Sequence, residues 1–177
     1  YYKEHGKDYS FEELGSLAEA AEPFAYLFDP DEDLFYEPGN MPVKIQQFCM
    51  EHYGSRPEST GEIIRCIYES LAMKFRWTIE QLERISGRSL PVINMMGGGA
   101  KASMLCQFTA NAAGRKVIAG PDEATAIGNI TVQLISTGAA QTLDEAKEIM
   151  RSSYETKEYI PRDTDQWNLK YMEFLKL

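Results

Sequence analysis

Downstream of Ser59 the apolar residues Ile63, Ile64, Ile67, Leu71, Phe75, Ile79 and Leu82 recur at steps of three and four. That spacing is one face of a 3.6-residue period and predicts a buried helix of about seven turns. Ser86-Gly87-Arg88 stops it. Upstream, Ser10-Phe-Glu-Glu13 has the S-x-x-E form in which hydroxyl and carboxylate each satisfy an amide of the first turn, and Leu14, Leu17, Ala18 and Ala21 follow at helical spacing. A short helix ending before Pro23 is expected. Val43, Ile45, Phe48 and Cys49 predict a second, to about His52, with Gly54 to Pro57 breaking it. Between these helices DPDEDLFYEPGN, residues 29–40, is crowded with turn formers and reads as a loop.

Beyond the long helix the period changes. Leu90 to Met96 is a short apolar run of strand length, and Arg115 to Ala119 offers a second. Between them lie Gly97, Gly98 and Gly99, then a helical face of Met104, Leu105, Phe108 and Ala112 that ends at Gly114. Gly120-Pro121-Asp122-Glu123 supplies a cap-type residue and acids suited to a helix start, with Ile127, Ile130, Thr131 and Leu134 behind it. Thr142-Leu-Asp-Glu145 repeats the capping-box pattern before Ala146, Ile149 and Met150, and Trp167, Tyr171 and Phe174 mark a last helix after Pro161. The expected class is α/β, rich in helix, around a short parallel βαβ unit whose ligands gather beyond the carboxyl ends of its strands.

The glycines stand at that carboxyl end. Without Cβ atoms they let a ligand approach the backbone, and a helix N-terminus behind them adds roughly half a positive charge. Phosphate, or the ribose and base of a nucleotide, fits there; a plain tight turn fits the same three residues. GGGAKA lacks the third spaced glycine of GxGxxG, and Lys101 is not followed by the Ser or Thr of a phosphate-binding P-loop. Lys101 reads as a solvated side chain.

Composition narrows the field. The chain has 177 residues and a net charge of −9 with a pI near 4.8. That is one domain with a real core, and its field repels phosphate backbones and anionic lipid, so neither nucleic acid nor a membrane is an expected partner. No apolar run approaches the roughly 20 residues that span a bilayer, and YYKEHGKDYSFEEL lacks the apolar core of a signal peptide, so a cytoplasmic location is expected. Cys49, Cys66 and Cys106 form no CxxC pair, and His5 and His52 are too far apart to suggest a zinc site. The thiols read as structural; Cys49 and Cys66 pair only if their Cα atoms come within about 7 Å. Asp122 with Glu123 reads as a helix cap and dipole partner rather than a catalytic acid pair, the aromatic set 167, 171 and 174 as packing rather than a sugar platform, and Asp29, Asp31, Glu32 and Asp33 as a solvated loop rather than a calcium site.

Three segments in register carry a resemblance. Met96-Gly-Gly-Gly-Ala-Lys101, then Gln107-Phe-Thr-Ala-Asn111, then Val117-Ile-Ala-Gly-Pro-Asp-Glu-Ala-Thr-Ala-Ile-Gly-Asn129 resemble the carboxy-terminal domain of the FGGY carbohydrate kinases. Arg65-Cys-Ile-Tyr-Glu-Ser-Leu-Ala72 and Phe35-Tyr-Glu-Pro38 resemble the family's preceding helix and loop, so the likeness runs over roughly residues 25–160. It implies part of an actin-like, ribonuclease-H-like ATPase domain. Residues 1–177 are then expected to be a fragment of the carboxy-terminal ATP-binding domain, starting after that domain's first strands and leaving a sheet edge open, with the amino-terminal sugar-binding domain absent.

The activity implied is transfer of the γ-phosphoryl of ATP, with Mg2+, to the 1-hydroxyl of a ketose. L-rhamnulose is first by likeness; L-fuculose, D-xylulose or a non-catalytic ATP-binding module are the alternatives, as is a helical interaction domain whose glycines are only a turn. The catalytic aspartate is expected upstream of this chain, which alone is expected to be inactive. By position Gly98 matches the family's ATP-contacting glycine, with Gly97 and Gly99 completing the turn. Ala102 stands where members carry Asn and Asn111 where they carry Asp, and GGGAK itself resembles the xylulose-phosphorylating branch. Cys49 and Cys66 fall where some members have a cysteine pair; in a reducing cytoplasm free thiols are expected.

Overall fold

The computed structural model describes residues 9–177. His5 and the first eight residues of YYKEHGKDYSFEEL lie outside them. Helix α1, Phe11–Glu19, opens on the expected capping box: Ser10 Oγ accepts from the Glu13 amide at 3.1 Å and the Glu13 carboxylate accepts from the Ser10 amide at 2.7 Å. Helix α3, Met41–Tyr53, is capped by the Asn40 side chain, and helix α4, Thr60–Ser86, by a second capping box between Ser59 and Glu62. The loop expected over residues 29–40 contains a single-turn helix α2, Asp33–Tyr36. It is held from outside: Lys44 Nζ donates to the carbonyls of Leu34 at 2.8 Å and Glu37 at 2.6 Å, and the Phe35 ring packs on Phe28 with centroids 4.8 Å apart.

The sheet is mixed. Strand β1, Val92–Met95, pairs in parallel with β2, Lys116–Ala119, across helix α5, Ser103–Ala113, which confirms the βαβ unit. Strand β3, Lys157–Tyr159, was not expected; it pairs antiparallel with β2, Val117 opposite Tyr159. It therefore covers one edge of the sheet, and among the described residues the outer edge of β1 has no strand beside it. Helices α6, Ala124–Ser136, and α7, Leu143–Arg151, pack on each other, and α8, Thr164–Phe174, returns to α4 and α5. No helix among the described residues is long and apolar enough to cross a membrane.

Helix α4 runs through the middle. Its first half meets α3 through Ile63, Cys66, Phe48 and Cys49, its second turn meets α1 and α5 through Ile64, Tyr68, Leu14, Ala18 and Leu105, and Ala72 with Met73 meets Trp167, Tyr171 and Phe174 of α8. The aromatic set is packing, as expected. The apolar stripe is not buried to its end, however: Leu82 is 51% exposed, while Glu83 beside it is held by Arg115 at 2.8 Å and by the Leu90 amide at 2.6 Å. Ile130 of α6 is exposed as well. Asp29 and Asp31 hold Lys74, at 2.7 and 2.9 Å. The cysteines are free and buried, Cys49 beside Cys66, and burial pushes the Cys66 thiol well up.

One buried charge organises the centre. Glu69 is 1% exposed; its carboxylate accepts from Arg65 Nε at 2.8 Å and from the Phe24 amide at 2.9 Å. Loss of solvent outweighs these partners and the more distant Lys170, and raises the Glu69 carboxyl to about 7 from its ordinary 4.5. Between those values the folded chain holds a proton that the unfolded chain has released. This group's contribution to stability is therefore complete below pH 4.5 and is lost as the pH rises toward 7. We expect Glu69→Gln to remove that slope: urea unfolding of the intact protein at pH 5 and at pH 7.5 should show a smaller difference in the variant than in the wild type. An equal or larger difference in the variant refutes the assignment.

Candidate functional site

The site grows from the end of β1. Met96 is still extended, and Gly97 then turns into the left-handed region with φ +71°, opening a 3-10 turn over Gly97–Lys101. Two backbone bonds fasten it to the end of β2: the Gly120 amide donates to Met95 O at 2.9 Å and the Gly97 amide to Pro121 O at 3.1 Å. The first amides of such a turn have no carbonyl before them to bond, so with Gly97 taken the Gly98 amide is available. Gly98 and Gly99 are exposed. A Cβ on Gly98 would meet nothing within 4 Å, and one on Gly99 only the Met95 side chain at 3.9 Å. The three glycines picked out in the sequence thus sit together at the carboxyl end of the parallel pair, as a tight helical turn rather than an open loop.

Beneath the turn lies Cys106, fully buried, its Sγ 3.7 Å from the carbonyl oxygens of both Gly99 and Ala100 and 3.3 Å from Met95 Sδ. Burial raises this thiol to about 11, so it stays protonated and acts as packing. Helix α5 leaves the turn with Ala102 at its N-cap and no side-chain cap among the described residues, whereas Ser10, Asn40, Ser59 and Thr142 each cap a helix. Its first amides, and the positive end of its dipole, are left for something else. Ala102 is 6% exposed, its methyl packed with Leu14, Ala18 and Leu105.

Next to this helix start a cavity of about 600 Å3 opens between α1 and α5, with Phe11, Ser16, Ala102, Ser103, Gln107 and Phe108 among its walls. Lys101 also faces it and pairs with Asp122 at 3.4 Å, both side chains about half exposed, so the pair contributes little to stability. Asp122 and Glu123 do not cap α6 as expected: Glu123 is at the N-cap with no side-chain bond, and Asp122 is turned to Lys101. The Thr142 box is half formed, since the Glu145 carboxylate reaches the Gln141 amide, at 2.7 Å, in place of that of Thr142.

Sequence reasoning missed the α1 wall and a side-chain clamp between α5 and the segment after β3. Gln107 Nε2 donates to Asn111 Oδ1 and to Ile160 O, both at 2.8 Å, and the Arg162 amide donates to the same Asn111 oxygen at 2.9 Å. These partners lie some fifty residues apart in the chain, and no local pattern announces them. For the turn itself we expect Gly97→Ala to cost about 1–2 kcal/mol in urea unfolding, since a Cβ is disfavoured in the left-handed region. Gly98→Ala, placed in ordinary backbone conformation and open space, should leave the unfolding midpoint unchanged. Equal losses at the two positions would contradict this geometry.

A parallel pair with a glycine turn at its carboxyl end, an uncapped helix behind it and a cavity alongside is the framework of an α/β domain that takes its ligand at the end of the crossover. The sequence model of the C-terminal domain of the FGGY family of carbohydrate kinases matches residues 2–137, and the chain belongs to that family. It is similar to the rhamnulokinase of Bacteroides thetaiotaomicron, 40% identical over 94% of this chain and 34% of that protein, and to that of Lactiplantibacillus plantarum, 35% identical over 98% and 34%. The chain thus spans about a third of the length of the curated relatives it matches. Among solved structures it resembles a Plasmodium falciparum glycerol kinase with ADP, TM-score 0.66 at 17% identity over 93% of this chain and 32% of that one. A xylulose kinase from Rhodospirillum rubrum follows at TM-score 0.51 and 20% identity, over 67% and 24%. At those identities the likeness is one of fold, and it bears out the actin-like class.

Proposed function

We propose that the intact protein is a cytoplasmic sugar kinase that moves the γ-phosphoryl group of ATP to the 1-hydroxyl of L-rhamnulose, and that this chain is a fragment supplying part of the nucleotide side of its cleft. The observation that carries the reading is the Gly97–Gly99 turn, open to solvent at the carboxyl end of β1 and adjoining a cavity of about 600 Å3. A backbone without Cβ atoms admits a ligand's phosphates or ribose, the uncapped amides of α5 favour anionic oxygen, and the cavity's aromatic walls suit a purine. Gly98 meets the nucleotide most directly; Gly97 and Gly99 shape the turn. The rhamnulokinases among the relatives support the choice of ketose.

In the transfer, the bond from the γ-phosphorus to its bridging oxygen breaks as one to the sugar oxygen forms, and the hydroxyl proton goes to a carboxylate base. Glu69 does not suit that part: it is buried and committed to Arg65 and Phe24. The base is placed upstream of this chain, with the sugar-binding amino-terminal domain of the same protein as its partner, and the chain alone does not turn over. Among the described residues no cluster of three His, Cys, Asp or Glu side chains forms a metal cage. Mg2+ would be held by the phosphates, water and one or two carboxylates, where it would offset the charge gathering on the transferred group.

The test is ATP-dependent phosphorylation by the full-length protein over L-rhamnulose, L-fuculose, D-xylulose and glycerol. L-rhamnulose should give the highest kcat/KM; turnover of none refutes the kinase, and preference for another ketose changes the substrate alone. In the same enzyme Gly98→Ala should raise the KM for ATP severalfold while leaving the unfolding midpoint in place. An unchanged KM removes the turn from the nucleotide site.

A further inference from the structure

Of the polar side chains on the cavity wall, Gln107 has an orientation dictated by groups whose roles are fixed. Ile160 O is a backbone carbonyl and accepts only, so the Gln107 atom 2.8 Å from it is the NH2 group. The Arg162 amide is a backbone donor, so the Asn111 atom it touches at 2.9 Å is the carbonyl oxygen, and that oxygen takes the other Gln107 N–H at 2.8 Å. Both donors of Gln107 are thereby spent on the body of the protein. Its Oε1 receives nothing from any group among the described residues, and Gln107 lines the cavity. Turning the amide over would set oxygen against oxygen at two places, which holds the acceptor where it is.

We propose that Gln107 Oε1 is a specificity determinant of the nucleotide site, accepting a hydrogen bond from the 6-amino group of a purine base lying in the cavity between α1 and α5. This rests on the nucleotide reading given above. Adenine offers a donor at that edge where guanine offers an acceptor, so a locked oxygen favours the first and repels the second. Asn111, buried behind Gln107, is the positioning residue: it does not touch the base and acts by holding the amide.

The experiment uses the full-length enzyme and compares kcat/KM for ATP with that for purine riboside triphosphate, which lacks only the 6-amino group. The wild type should prefer ATP by about tenfold, the worth of one hydrogen bond. Gln107→Leu should bring the ratio close to one, chiefly through KM for ATP, and Asn111→Ala should lower it with Gln107 still present. A wild-type ratio near one overturns the proposal without any variant. So does a ratio unchanged in a Gln107→Leu enzyme that keeps its melting temperature, and in that case the nucleotide site itself stands. Failure of the intact protein to use or bind any nucleoside triphosphate overturns both.

Discussion

The structure depends on a carboxylate buried in its interior. Glu69 sits in the middle of the longest helix, and an interior charge persists only with partners close at hand. One comes from its own helix, Arg65 a turn earlier; the other is the amide of Phe24, a residue held at φ +55°. Arg65 Nη1 then donates to the carbonyls of Ala18 at 3.1 Å and Ala21 at 3.0 Å. Ser70 adds a bond from the Phe28 amide at 3.1 Å. Satisfying one buried pair thus straps the whole passage from the end of α1 to Phe28 along α4. It also fixes where α1 lies, and α1 is one wall of the cavity.

That wall is brought close by a second constraint. At Gly61, in the first turn of α4, a Cβ would run into the Leu17 carbonyl, so only glycine lets α1 lie so near. The opposite wall, α5, is held by different means. It packs on the sheet through Cys106, Ala110 and Val117, and it is tied to the segment after β3 by Gln107 and Asn111. Arg76, donating to Ala112 O at 3.0 Å and stacked 3.9 Å from the Tyr171 ring, joins α4, α5 and α8. The cavity is therefore set between two helices that share α4 as their common support, and its width follows from packing far from its mouth.

How much of this was readable beforehand follows from the range of each interaction. The boxes at Ser10 and Ser59 close within three residues, so the sequence contains everything that makes them, and the same is true of the βαβ order around Gly97. Strand β3 is three residues long and exists because Tyr159 can sit opposite Val117, a pairing no local pattern encodes. Helix α2 was hidden because DPDEDLFYEPGN is turn-rich; what holds it is Lys44, from the next helix. Asp122 illustrates a competition: an acid before a helix ordinarily caps it, but Lys101 across the turn is the partner it meets. The glycines of the candidate site were legible, and the cavity beside them was not, because its walls are separated by more than eighty residues of chain and share α4 as their support.

The acidity of the whole chain and an anionic ligand at the turn are compatible. At physiological ionic strength charges are screened over about 8 Å, so a net charge of −9 governs what approaches from a distance more than what rests against the backbone. At contact the local donors decide: the amide of Gly98, the uncapped start of α5 and Lys101. A long polyanion must spread its phosphates over many surface carboxylates, whereas a nucleotide needs only this one place, with its metal already offsetting part of its charge. A field of this sign disfavours polyanions at a distance and still leaves the turn accessible to a small anionic ligand held by local donors.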